Sequence, residues 1–133
     1  MTHWTTKYLA LPWSTDCDCW GFFRLVQREQ FGRDLPAIPL DDYRLPRKSA
    51  VISGHPERAN WVAIDPSEAV DGDGVMMKEG EKDAHVGIWV AVDGGLVLHS
   101  DNPGGGQLTP LDRLAEEYTC IKFYRHKDAA CRC

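Results

Sequence analysis

With 133 residues the chain is long enough for one domain with its own hydrophobic core. Its composition, 43% hydrophobic and 26% charged, is ordinary for a globular domain. A net charge of −5 without a basic patch leaves no electrostatic footprint for nucleic-acid binding, and no apolar run approaches the length of a membrane span.

The first residues, Met1 to Lys7, lack a charged region followed by a long apolar one. No secretory signal is read there, and the protein is expected to be made in the cytoplasm. Residues 2–10 read as a short helix with Thr2 as its cap and Trp4, Tyr8 and Leu9 as apolar contacts. A loop, residues 11–17, leads into the segment that dominates the chain.

Asp18-Cys19-Trp20-Gly21-Phe22-Phe23 opens a helix predicted over Cys19 to Phe31. Asp18 is a good N-cap, Gly32 stands where a C′ glycine ends a helix, and Phe22, Phe23 and Val26 form one apolar face. Arg24, Gln27 and Arg28 fall on the other side. Cys19 then lies in the first turn, expected exposed at the helix end. Unpaired N–H groups and positive partial charge there favour a thiolate, the nucleophilic form.

Residues 32–48, rich in Pro and Asp, read as irregular surface chain. Residues 49–64 are the least readable; Ser49 to Ile52 suggests a helical turn interrupted by Gly54 and Pro56. After Asp71 the period changes. Residues 73–78 read as a short buried strand and residues 80–83 as a turn. Residues 85–92 alternate, with Val86, Ile88, Val90 and Val92 on one face. Asp93-Gly94 signals a hairpin into a strand over residues 96–100. Gly104-Gly105-Gly106 reads as a flexible loop, residues 111–118 as a short helix or turn, and residues 119–124 as a final strand. The tail, residues 127–133, is small, polar and expected to be mobile. Helix first and antiparallel meander second is the order of a single α+β domain over residues 1–133, a sheet with a helix packed on one face.

Five cysteines, Cys17, Cys19, Cys120, Cys131 and Cys133, leave at least one unpaired, and structural disulfides are not expected without a secretory signal. Two histidines flank the hairpin. His85, Gly87 and Trp89 share a face. A two-residue loop would set His99 opposite Ile88, on the wrong face. A three-residue loop at Val92-Asp93-Gly94 would set it opposite Gly87, one diagonal step from His85, with room for both rings. An odd-numbered loop is therefore predicted. Cys19, His85 and His99 then fit a nucleophile, a base and an orienter.

Asp18-Cys19-Trp20-Gly21, Asp73-Gly74-Val75-Met76-Met77, His85-Val86-Gly87-Ile88-Trp89 and Leu98-His99-Ser100 together resemble the NlpC family of papain-like cysteine peptidases, which cut cell-wall peptides. The resemblance runs in order from about residue 11 to residue 126. Trp20 after the cysteine and the ending Ile121-Lys122-Phe123-Tyr124-Arg125-His126 resemble stand-alone members from phage tail modules. It implies a papain-like fold, catalysis by Cys19, His85 and His99, and no cofactor. It also implies the amide between D-glutamate and diaminopimelate in peptidoglycan stem peptides as substrate, with phage tail-tip proteins as partners and the virion tail as the place of action on the cell wall. Trp13, Asp18 and Trp20 are the implied oxyanion-hole and substrate-binding residues. Trp13 stands where the family usually has Tyr, Asp73-Gly74 is the family's Gly-Asp reversed or shifted, and Cys17 is outside the pattern. Asp18 has two open readings, helix cap or contact for the substrate's free amine.

Three other readings compete. Cys17-x-Cys19 and Cys131-x-Cys133 with His85 and His99 offer soft ligands for zinc, although the gaps are shorter than usual zinc spacing. The chain could keep the fold as a structural tail-tip component. Cys17-x-Cys19 could be a redox pair, although such pairs usually have two residues between them. His3, His55 and His126 read as surface residues, Asp41-Asp42 and Glu116-Glu117 as solvated charge, and Trp4, Trp61, Phe123 and Tyr124 as core or groove walls.

Overall fold

Helix α1 (Cys19–Phe31) has both ends set by local chemistry in the computed structural model, which describes residues 3–130. The Asp18 carboxylate accepts the Gly21 N–H at 2.8 Å, and Gly32 closes the helix at φ +67 with its N–H on the Gln27 carbonyl. Phe22, Phe23 and Val26 are buried as the period requires. Gln27, expected on the polar side, is fully buried as well. Its amide donates to the Gly72 carbonyl at 2.9 Å and accepts from Arg33 at 2.6 Å, tying α1 to the turn before the second strand.

Residues 32–44 are not loose surface chain. Leu35 packs in the core with α1, Ile38 is buried as well, and the Arg24 guanidinium donates to the Leu35 carbonyl. Helix α2 (Leu45–Gly54) follows, with a proline in its first turn and Ser49 and Ile52 inward, so the single turn expected near residue 49 belongs to a longer helix. Strand β1 (Trp61–Ile64) lies in the segment without a sequence pattern, because Val62 and Ala63 are exposed and leave no buried alternation.

Strands β2 (Gly74–Glu79), β3 (Lys82–Val90), β4 (Leu96–Asp101) and β5 (Gly105–Pro110) then run as a meander. Helix α3 (Leu111–Glu117), strand β6 (Cys120–His126) and the short α4 (Lys127–Ala130) complete the described chain. The sheet order is β1-β6-β2-β3-β4-β5 and every neighbouring pair is antiparallel. The predicted flexible glycine loop is therefore partly strand β5. Its glycines serve close approach rather than flexibility. Ala10 donates to the Gly106 carbonyl at 2.8 Å and Gly106 donates to the Leu11 carbonyl at 2.9 Å, and a side chain at Gly106 would strike the Tyr8 carbonyl.

The two sheet faces carry separate cores. Phe22, Phe23 and Val26 of α1 pack with Val86, Ile88, Val90 and Leu98 on one face. Val75, Met77, Trp89, Val97 and Phe123, the alternate positions, pack with Leu114 of α3 on the other. The sheet is thus covered on both faces, not on the one expected. Asp73, at the entry to β2, is buried and takes both Nε and Nη2 of Arg125, at 3.0 and 2.8 Å. Of the two readings of Asp73-Gly74, reversed or shifted, the sequence allows the shift, since Gly72 stands directly before Asp73.

Candidate active site

The hairpin register decides the site. Ile88 pairs with Leu98, Trp89 with Val97 and Val90 with Leu96, which continues to Gly87 opposite His99. The connection is odd-numbered, as predicted, but residues 91–95 rather than three residues separate the paired strands. Asp93, Gly94 and Gly95 all take positive φ there. Gly87 is required: a Cβ would sit 2.5 Å from Val97 Cγ1 and 3.2 Å from His99 Cβ.

His85 Nε2 and His99 Nδ1 lie 2.8 Å apart, with the ring planes at 81°. His99 Nε2 in turn meets Thr109 Oγ1 of β5 at 2.9 Å. Tyr118 lies parallel to the His85 ring at 6.3 Å. Burial pushes the His85 imidazole well below its ordinary value, helped by His99 and Lys48, and burial also lowers His99. Burial thus favours the neutral form of both rings, in which one N–H between them can serve one acceptor nitrogen.

Cys19 and His85 line one cavity of about 290 Å³, together with Trp13, Tyr43, Lys48, Asp101 and Asn102. Cys19 is 3% exposed, so the expected exposed thiol is not found. The reason is that residues 13–17 and the segment through Tyr43 fold over the start of α1. Burial pushes the Cys19 thiol up, while Lys48 and a backbone hydrogen bond from Val86 pull it down and Asp18 pushes it up. Burial wins, against the thiolate expected from the helix terminus alone. Burial thus opposes charge on the thiol and on the imidazole alike.

Trp13 stands in the cavity wall, edge-on to Tyr43 at 5.3 Å. Asp18 is buried, with Oδ1 on the Gly21 N–H and Oδ2 accepting the Tyr43 hydroxyl at 2.9 Å. Burial and Asp18 push Tyr43 up to about 12, so it keeps its proton and donates. Trp20 does not face this cavity. Its indole N–H goes to the Pro36 carbonyl at 2.9 Å, and its ring stacks on Phe23 beside a second, apolar cavity of about 50 Å³. Its placement follows from the helical turn, which carries residue 20 to a different side of α1 from residue 19.

Tyr43, Lys48 and Asn102 escaped the sequence reading because loop and helix α2 residues reach the cavity only through folding. Asp101 left a signal, since it shares a strand face with His99. His126, expected on the surface, is buried with its ring edge-on to Trp61. His3 is exposed, and His55 uses Nδ1 to accept the Glu57 N–H. Cys17 is half-buried, its backbone N–H on Ser14 Oγ, and Cys120 is half-buried on β6. Cys131 and Cys133 lie outside the described residues. Among the described residues, no three His, Cys, Asp or Glu side chains are grouped to hold a metal ion.

Compared with known proteins, the sequence matches the model of the NlpC/P60 family over residues 6–125. The chain belongs to the NlpC/P60 family. The match takes in α1, the whole sheet through Arg125 and every residue lining the cavity. The α+β architecture is that of the papain-like NlpC/P60 fold. NlpC/P60 membership supports a cysteine peptidase of the cell wall as the general activity. No curated protein matches the sequence.

Proposed function

We propose that this protein is a cysteine endopeptidase that hydrolyses an amide of peptidoglycan stem peptides, the bond between D-glutamate and diaminopimelate. The observation that carries the proposal is the shared cavity of Cys19 and His85, with His99 held 2.8 Å behind His85. His85 Nε2 is engaged by His99, which leaves Nδ1 for the thiol proton. As the Cys19 sulfur bonds to the amide carbon, its proton passes to His85, acting as general base. The oxyanion is met by the Cys19 backbone N–H, in the first turn of α1, and by the Trp13 indole N–H. Collapse breaks the C–N bond, and His85 returns the proton to the leaving amine. His85 then takes a proton from water as the water oxygen bonds to the thioester carbon; the C–S bond breaks, the proton on His85 passes to the departing sulfur, and the acid and the Cys19 thiol are released.

His99 fixes the His85 tautomer and is itself oriented by Thr109. Asp18 acts as cap and as acceptor for Tyr43, because both its oxygens are occupied. Trp20 has no part in the proposal. Action from a phage tail, with tail-tip partners, is proposed on the resemblance of residues 18–20 and 121–126 to stand-alone tail-module members.

The test is to incubate the reduced protein with peptidoglycan and defined stem peptides, beside a Cys19→Ala control, and to read the products by mass spectrometry. Fragments cut at the D-glutamyl–diaminopimelate amide and lost in the control are expected. A folded protein that cuts nothing, and whose Cys19 resists alkylation, would overturn the peptidase reading.

A further inference from the structure

The histidine pair lies on the sheet face that α3 covers. His85 and His99 share strand parity with Trp89 and Val97, which pack with Leu114 of α3. Helix α3 is closed by Tyr118, whose N–H returns to the Leu114 carbonyl at 2.9 Å. The next residue is tied to the β2–β3 turn. Thr119 donates its N–H to the Lys78 carbonyl at 2.9 Å, and its hydroxyl accepts the Gly80 N–H at 2.8 Å. Tyr118 is thus fixed on both sides, half-buried against the second core.

Its ring is an offset stack on His85, with planes 10° apart and centroids 6.3 Å apart. His99 meets the same imidazole edge-on. His85 borders a cavity of about 290 Å³, wide enough for several waters, yet it is only 3% exposed. Among the described residues no hydrogen bond engages the Tyr118 hydroxyl. Burial and Asp101 push that phenol up, which favours its uncharged form. Tyr118 therefore offers His85 an uncharged aromatic surface and no polar contact.

We propose that Tyr118 is a positioning residue for His85, whose ring holds the imidazole plane and keeps water from the His85–His99 contact. This rests on the peptidase reading above. A dry imidazole resists protonation by solvent, so His85 stays a free base until the Cys19 thiol delivers its proton. The charged and titratable groups around His85 are Cys19 of α1, Lys48 of α2, His99 and Asp101 of β4, and Tyr43 of the loop before α2. Met77, opposite His85 on β2, carries no charge. Beside Tyr118 itself stand Glu117 and Glu79. Substituting Tyr118 changes none of these charges. It changes hydration, the main cause that lowers His85.

The experiment follows the His85 ring by NMR through a pH titration of the Cys19→Ala protein, alone and with Tyr118→Phe or Tyr118→Ala. The pH profile of kcat/KM on a stem peptide is measured for the same Tyr118 variants in chains that keep Cys19. Tyr118→Ala lets water reach the imidazole, so its midpoint should rise toward 6.5 by about half a pH unit or more. The acid limb of kcat/KM should move up with it. Tyr118→Phe keeps the ring and should leave both unchanged. Tyr118→Gln, which has no apolar ring, gives the same reading as alanine should Tyr118→Ala not fold. An unshifted His85 midpoint in a folded Tyr118→Ala or Tyr118→Gln chain overturns the proposal, as does a Tyr118→Phe chain that shifts as far as alanine. If the chain with Cys19 cleaves nothing, the peptidase reading fails, while the titration still decides the role of Tyr118.

Discussion

His85 Nε2 and His99 Nδ1 face each other at 2.8 Å across two antiparallel strands, and a glycine opposite His99 makes the approach possible. Thr109 extends the contact to a third strand. On the proposed mechanism this chain holds the His85 ring with Nδ1 toward the thiol. His99→Ala should lower kcat by about 10² or more with little change in KM, the scale of a general base put out of position. Thr109→Val removes one hydrogen bond further out, and a loss of about tenfold is expected. Steady-state kinetics on a stem peptide separates the two, and an unchanged kcat in His99→Ala would remove it from the mechanism.

Gly87 is the counterpart of that contact. In Gly87→Ala the new methyl group would press on Val97, the Leu98 carbonyl and His99. Overpacking of this kind destabilises by roughly 1–3 kcal/mol. Urea unfolding should show that loss, and activity should fall further than stability, because the strand bearing His99 must shift.

The buried histidines predict the response to acid. His85, His99 and His126 are all held below the ordinary value of 6.5, with burial the main cause in each. In the window from 6.5 down to the lower folded-state values, the unfolded chain binds protons that the folded chain refuses. Stability is therefore full above about pH 6.5 and falls as pH drops through this window, by up to about 1.4 kcal/mol per pH unit for His85. Thermal midpoints between pH 7 and 5 should decline, and His85→Asn should flatten the decline. A flat profile for the unaltered protein would contradict the burial argument.

Asp18 offers a direct choice between its two readings. Its oxygens serve the Gly21 N–H and the Tyr43 hydroxyl. Asp18→Asn keeps an acceptor for the helix end and should leave kcat/KM within a few-fold. Asp18→Ala should destabilise by about 1 kcal/mol through loss of the cap. A large loss of kcat/KM in Asp18→Asn, with the thermal midpoint unchanged, would instead assign the carboxylate to the substrate amine.

Two parts of the molecule were written in local chemistry. Helix α1 was legible to its last residue because Asp18 and Gly32 satisfy the helix ends by themselves and the phenylalanines set its inner face. The histidine pair was legible because strand alternation admits only two registers, and only the odd one puts His85 and His99 together. The remaining features needed the assembled fold. Strand β1 has exposed residues and exists by pairing with β6, and β5 exists by pairing with β4 and with residues 10 and 11. Gln27, His126 and Cys19 are buried because other segments cover them, which no local pattern encodes. Tyr43 and Lys48 reach the cavity from a stretch without periodicity, brought there by the packing of Leu35, Ile38 and Ile52. The sequence by itself determined the helix, the strand parity and the residues able to do the chemistry. Tertiary structure decided what surrounds them, since burial and field at Cys19 are sums over segments far apart in the chain.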